Sequence, residues 1–243
     1  LLVFDRDGRY LDGWGAGAIT DPHGLRIVDD VVYLTDRAAS VVMIFTLDGK
    51  LLQEIGKRGM HSDTGCEKPG TLVPRAGGPF NYPTELMPGP SGDLYVTDGY
   101  RNSRVHRFTR DGKLIHSWGQ PGKIAPGEFH LPHSIAIAPD GKLYVGDRGN
   151  RRVQIFSASV DFIGMWTGMG GPNDIIMGKD GCFYICEQKT EAAPNFVSVR
   201  DRNGSALARW EIRQAHGLGV DSRGDIYLGS TSHKAVDKYV RQA

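Results

Sequence analysis

Three of the eight histidines in this 243-residue chain open short apolar segments of the same form: His23 in PHGLRIV, His133 in PHSIAIA and His216 in AHGLGVD. Three neutral imidazoles and one open position are the ligand set of a catalytic rather than a structural zinc ion. Such an ion acts as a Lewis acid and lowers the pKa of a bound hydroxyl. Other first-row metals also accept three histidines, so zinc leads without being unique. A single histidine in such a segment more often bonds a neighbouring carbonyl. The shared setting of all three is what points to a metal. His61, His106, His116, His130 and His233 have unrelated settings, and His106 and His116 are expected on outer strands facing solvent.

A second set of residues follows the next apolar segment of each unit: Asp36-Arg37, Asp98-Gly99-Tyr100-Arg101, Asp147-Arg148 and Glu187-Gln188. The acidic members are expected to accept backbone N–H bonds and cap the turns. Arg37, Tyr100 and Arg148 have two readings, a solvated loop or inter-blade ion pair on one side and a ring around the histidines on the other. On the second reading an arginine grips a substrate carboxylate in bidentate fashion, and a tyrosine beside a cation serves as base.

These residues are carried by an internal repeat. Units at residues 22–56, 83–119, 132–168, 172–212 and 215–243 each read as short alternating strands joined by Asp-Gly-type turns, with no helical periodicity. Four-stranded units of about 40–45 residues imply a β-propeller. Residues 1–15 (LLVFDRDGRYLDGWG) match only the last two strands of a unit, compare VHRFTRDGKLIHSWG, and the fifth unit stops after its third strand. The expectation is therefore a single all-β domain, a six-bladed propeller with one blade partial in this chain. Its competitor is a five-bladed ring closed by residues 9–14 pairing with the last unit. Aligned on the residue after the leading Pro or Ala, the units read His23, Thr84, His133, Asn173, His216. The histidines fall on alternate units, about 120° apart in a six-fold ring, where the inner strands crowd the channel. Residues 57–81, rich in Gly and Pro, form a connection of the length that functional lids or mobile loops have.

Composition narrows the partners. Lys and Arg number 29 against 28 Asp and Glu, a near-neutral balance that argues against nucleic acid and against a polybasic membrane surface. No apolar run is long enough for a transmembrane helix, so no membrane insertion is expected. The chain begins at Leu1 rather than Met, so residues preceding it are expected. Cys66, Cys182 and Cys186 make neither a disulfide framework nor a paired CxxC zinc site.

The repeats resemble NHL-type propellers, and within them the chain resembles the peptidyl-α-hydroxyglycine α-amidating lyases. DPHGLRI around His23, YPTELM leading into LYVTDGYRNSRVHRF around Tyr100, LPHSIAI and YVGDRGNRRVQIF around His133 and Arg148, and AHGLGVDSRGDIYLGS around His216 carry the resemblance. It implies that His23, His133 and His216 ligate zinc, that Tyr100 is the base facing the substrate hydroxyl, and that Arg148 holds the carboxylate. The implied substrate is a small molecule or peptide with a C-terminal α-hydroxyglycine. The implied reaction cleaves its N–Cα bond, giving an amide and glyoxylate. A secreted or periplasmic location is favoured on the same ground. The chain departs from the family at Gly217, where the family has an acidic residue that also supports a structural calcium, so calcium is doubtful although Leu25 offers a carbonyl. Arg101 stands where the family has a disulfide cysteine.

Two other functions compete. A propeller lactonase or hydrolase would use a channel metal to activate water, although such sites are carboxylate-rich. A non-catalytic NHL scaffold would bind protein or RNA on one face and hold no metal.

Overall fold

The computed structural model describes residues 1–242; Ala243, the end of the fifth repeat, lies outside them. The Asp-Gly pairs close tight turns between strands. Gly49, Gly112, Gly141 and Gly181 take φ between 79° and 87°, the left-handed region that glycine enters without penalty. The flanking residues alternate, and each pair of turns sets the next strand antiparallel to the last. The result is a propeller of five blades, each an antiparallel sheet in strict sequence order.

The first four blades have four strands, and their innermost strands are Pro22–Val28, Pro83–Pro88, Pro132–Ile137 and Gly171–Met177. The fifth has three, Gly217–Val220, Ile226–Ser230 and Ala235–Tyr239. The inner strands pack against one another in chain order around the channel. Apolar residues on facing sheets fill the spaces between blades. Val42 and Ile44 of the first blade meet Leu86 and Val96 of the second, and Tyr144 and Val153 of the third meet Ile175 and Phe183 of the fourth. The second strand of the second, third and fourth blades is almost wholly buried, because it has a sheet on both faces, and in the first blade Val31 and Tyr33 are half-buried.

Residues 9–14 do not pair with the last blade. Tyr10–Gly13 pairs with Leu2–Phe4 alone, as a hairpin whose side chains are largely exposed. Leu1 and Trp14, at the ends of this hairpin, pack on the face of the first blade turned away from the second, against Val32, Leu34 and Phe45. The connection 57–81 is fixed rather than free. Ser62 N–H bonds the Phe80 carbonyl, Asn81 bonds the Ser62 carbonyl, and Val73 and Phe80 are buried. His106 is not a surface residue. It lies wholly buried on the third strand of its blade, between Asp98 and Ser117, because that strand too is covered on both sides.

Candidate active site

Each of the first four inner strands breaks register just after its leading proline, at Pro22/Leu25, Pro83/Glu85, Pro132/Ser134 and Pro172/Asp174. A break of this kind leaves a residue unpaired and re-aims its side chain. Here the re-aimed residues are His23, Thr84, His133 and Asn173. His216, at the head of the fifth blade, is held by its N–H to the Gly229 carbonyl.

The structure brings His23, His133 and His216 together on the axis. All three pairs of ring centroids are 4.8 Å apart, with the planes turned 73° to 89° from one another. Their candidate ligand atoms lie within 4.8 Å of one another. The Nδ1 of His23 is 2.6 Å from the Thr84 carbonyl, and the Nδ1 of His133 is 2.6 Å from the Asn173 carbonyl. A carbonyl only accepts, so each Nδ1 carries the proton and each Nε2 presents a bare lone pair. His216 Nδ1 has no hydrogen-bond partner among the described residues.

Tyr100 completes the cluster. Its hydroxyl oxygen is 3.3, 3.1 and 3.3 Å from the Nε2 atoms of His23, His133 and His216. One phenolic proton can satisfy only one of these acceptors. The donor set therefore fits a divalent first-row cation, which takes neutral imidazoles, two of them here fixed through their other nitrogen. Burial keeps the rings neutral, helped by the neighbouring imidazole and arginine charges. His23 falls to about 3, His216 to about 4, and His133 well below its ordinary 6.5.

Arg37 and Arg148 flank the Tyr100 ring, their guanidinium carbons 4.8 and 5.1 Å from its centroid. Arg148 Nη1 donates to the Tyr100 hydroxyl at 3.3 Å and to the Asn173 side chain at 3.4 Å. Arg37 is paired with Asp21 at 2.8 Å. The acidic residues of the same turns act as caps. Buried Asp36 accepts from the N–H groups of Thr20 and Asp21, and buried Asp98 from that of Asn81.

The position of Tyr100 depends on several residues that its own turn does not reveal. Gly99 passes so close to the third blade that a Cβ there would stand 2.1 Å from the Pro132 carbonyl. The Gly70 N–H holds the Tyr100 carbonyl at 2.6 Å, and Thr64 Oγ1 holds that of Arg101 at 2.6 Å. Arg101 in turn donates to the Cys66 carbonyl and lies 5.2 Å over the Tyr82 ring. The connection 57–81 is thus a brace behind the tyrosine, fastened by Arg101. Thr84 and Asn173 are the other residues that sequence reasoning passed over. Thr84 Oγ1 donates to the Pro132 carbonyl, and Asn173 Nδ2 to the Ala215 carbonyl. Each non-histidine blade so grips the residue before the next histidine, and the shared repeat position of Thr84 and Asn173 was the available signal.

Residues 129–156, the strands around His133 and Arg148, match the NHL repeat family. Human NHL repeat-containing protein 3 is 28% identical over 262 residues, spanning 99% of this chain and 72% of that protein. Peptidyl-glycine alpha-amidating monooxygenase A of Xenopus laevis is 34% identical over 98% of this chain, which corresponds to 26% of the longer protein. Peptidyl-alpha-hydroxyglycine alpha-amidating lyase 1 of Drosophila melanogaster is 33% identical over 171 residues, 65% of this chain and 29% of the relative. Among solved structures, the virginiamycin B lyase of Staphylococcus aureus superposes with a TM-score of 0.61 over 98% of this chain and 76% of its own. Its 20% identity speaks for the fold alone. The chain is a β-propeller that carries a match to the NHL repeat over residues 129–156 and whose sequence resembles that of the peptidyl-α-hydroxyglycine α-amidating lyases.

Proposed function

We propose that the chain is a metal-dependent carbon–nitrogen lyase that cleaves the N–Cα bond of an α-hydroxyglycine-type carbinolamide. The observation that carries this reading is the convergence of three imidazole Nε2 atoms on one phenol flanked by two guanidinium groups. His23, His133 and His216 would hold the ion, zinc by the leading reading, and the ion would supply Lewis acidity to a substrate oxygen. Tyr100, its own proton first released to solvent, takes the proton of the α-hydroxyl as the phenolate. The electrons of that O–H bond become the carbonyl of glyoxylate as the C–N bond breaks, and the departing pair stays on nitrogen. The proton then passes to that nitrogen, giving the amide. Arg148, with Arg37 across the ring, binds the substrate carboxylate and orients it for this step. The substrate is a small molecule or peptide end bearing a free carboxylate and an α-hydroxyl.

The test is incubation with α-hydroxyhippurate, following glyoxylate and benzamide together, with zinc measured in the same protein. Equal yields of both products are expected, with about one zinc per chain. Protein that holds zinc and makes no glyoxylate would remove the lyase and leave water activation, hence a lactonase-type hydrolase. Protein that holds no transition metal and turns over nothing would leave the binding scaffold.

We further infer a ring of six places. His23 and His133 are separated by one intervening blade, as are His133 and His216. The third side of the triangle, from His216 back to His23, has the same 4.8 Å length. Equal spacing leaves one blade's place between the fifth and first blades. On this reading the N-terminal hairpin, which packs on the first blade, is the outer strand pair of that sixth place.

A further inference from the structure

Two buried charge clusters lie outside the three imidazoles. One layer beneath them, Arg26 of the first blade pairs with Glu85 of the second at 2.6 Å and directly with Asp174 of the fourth, and this cluster closes on itself. The other stands behind Tyr100. Asp98 ends the second strand of the second blade, two residues before the tyrosine, and is wholly buried. Its carboxylate accepts the Asn81 N–H at 3.0 Å, Asn102 Nδ2 at 2.9 Å and His106 Nε2 at 3.3 Å. Asn81 ends the connection 57–81, and Asn102 lies on the far side of Tyr100. One carboxylate therefore clips both flanks of the turn that carries the phenol.

The other blades meet the corresponding acid with arginine. Asp36 has Arg58 at 3.8 Å, Asp147 has Arg152 at 2.8 Å, and Glu187 has Arg209 at 2.8 Å. No arginine or lysine of the described residues pairs with Asp98. Arg104 holds the register position of Arg152 but turns to the Gly119 carbonyl at 2.8 Å. The partner of Asp98 is instead His106, whose register position is held by Met43, Gln154 and Ser198 in the first, third and fourth blades. Gln154 makes the matching bond, from Nε2 to Asp147 Oδ2 at 3.2 Å. The neighbours of His106 fix its tautomer. A carboxylate only accepts, so Nε2 carries the proton and Nδ1 accepts from Ser117 Oγ at 2.7 Å. The order serine, histidine, carboxylate is that of a hydrolytic relay. Here the ring is wholly buried, with Phe80 5.6 Å away, and it serves the turn rather than a substrate.

We propose that His106, locked by Ser117, is a positioning residue for Tyr100, acting through Asp98. The inference rests on the base role given to Tyr100 above. That phenol has to meet three Nε2 atoms at once, at 3.1 to 3.3 Å, and a misplacement of about 1 Å costs on the order of 10²-fold in rate. With both ring nitrogens engaged, His106 leaves the carboxylate one orientation, and the carboxylate leaves the turn one place.

The other blades supply the variants. His106→Met installs the first blade's residue and removes the donor, and His106→Gln installs the third blade's and returns one. Each is measured for zinc content, unfolding midpoint and turnover of α-hydroxyhippurate. His106→Met should keep zinc and KM while kcat falls by about 10- to 100-fold, and His106→Gln should recover most of that loss. In metal-free protein the NMR resonance of Tyr100 Cζ, assigned by its disappearance in Tyr100→Phe, should shift in His106→Met and return in His106→Gln. If His106→Met does not accumulate as folded protein, Ser117→Ala unlocks the same ring and should lower kcat by about fivefold, the worth of one hydrogen bond. An unaffected kcat in whichever variant folds, an unmoved Tyr100 resonance, or a loss that glutamine does not restore overturns the proposal. A wild type that makes no glyoxylate removes the lyase reading instead, and the resonance alone then decides whether His106 places Tyr100.

Discussion

The hub of this propeller holds two neighbouring layers built from the same strands, and they are satisfied to opposite degrees. In the lower layer Arg26, Glu85 and Asp174 answer one another and the main chain, so charge and hydrogen bonds close on themselves. In the upper layer three imidazole Nε2 atoms converge on one phenolic hydroxyl, those of His23 and His133 as bare acceptors. Buried polar groups are normally paired, and a set left short of donors marks a place for something else. The lower layer is built to hold the blades, and the upper to hold an ion and a substrate. If so, substitutions in the two layers should separate stability from chemistry.

The largest separation is expected from His133→Ala. Activity should fall to background and zinc should be absent, because two imidazoles do not retain a catalytic ion. The unfolding midpoint of the metal-free protein should move less than it does for any charged member of the lower layer. Elemental analysis and calorimetry on one preparation decide this. Tyr100→Phe should keep zinc and the unfolding midpoint while turnover drops by about 10²–10⁴, the contribution of a positioned base. Undiminished glyoxylate production would take the base role away from Tyr100.

The converse change is Asp174→Asn. It strips a carboxylate from the buried cluster and weakens the grip on the Leu218 N–H, so the fold should lose about 3 kcal/mol by urea unfolding. Zinc content should survive, with turnover changed by less than about tenfold. A stable Asp174→Asn protein that had lost its metal would show that the layers are one unit.

The two layers also differ in how far the sequence reveals them. The histidines share a repeat position, so alignment of the units places them on alternate blades before any coordinate is known. Tyr100 lies in a repeated turn, and the propeller itself is written in the Asp-Gly spacing. Arg26 has no such register. It stands four residues into its strand, beyond a break in pairing, and its partners lie 59 and 148 positions away on other blades. Periodicity cannot show a contact that crosses the axis. His106 misled for a related reason: its strand reads as outer by order, yet Asp98 and Ser117 enclose it. The connection 57–81 reads as a lid or a mobile loop from length and composition alone. What makes it a brace is a set of bonds to backbone carbonyls, including that of Tyr100, which residue types do not encode.

Protonation separates the layers in solution. His23 and His216 titrate at about 3 and about 4 when folded, below the ordinary 6.5 of the unfolded chain. Between these values the unfolded state binds protons that the folded state refuses. Their contribution to stability is therefore complete above pH 6.5 and is lost as the pH falls toward 4. The metal-free wild type should weaken by up to about 1.4 kcal/mol per pH unit for each such histidine across that window. A His216→Asn protein should show a shallower slope, and an unchanged slope would mean that the imidazoles are not held neutral by the fold.

The smallest effect tests the collar between the layers. Thr84 Oγ1 lies 3.0 Å from both the Pro132 and Thr97 carbonyls and 2.8 Å from Thr97 Oγ1. Thr84→Val keeps the shape and removes the hydroxyl, so the Pro132 carbonyl loses a partner at the residue before His133. About 1 kcal/mol of stability should go with it. If Thr84 only fills space, that small loss is all that should be seen. If it positions His133, zinc affinity and the maximal rate should also fall, while Thr84→Ser restores both by returning the hydroxyl. The serine rescue, read in metal affinity rather than in unfolding, distinguishes a collar that aims the imidazole from one that merely packs beside it.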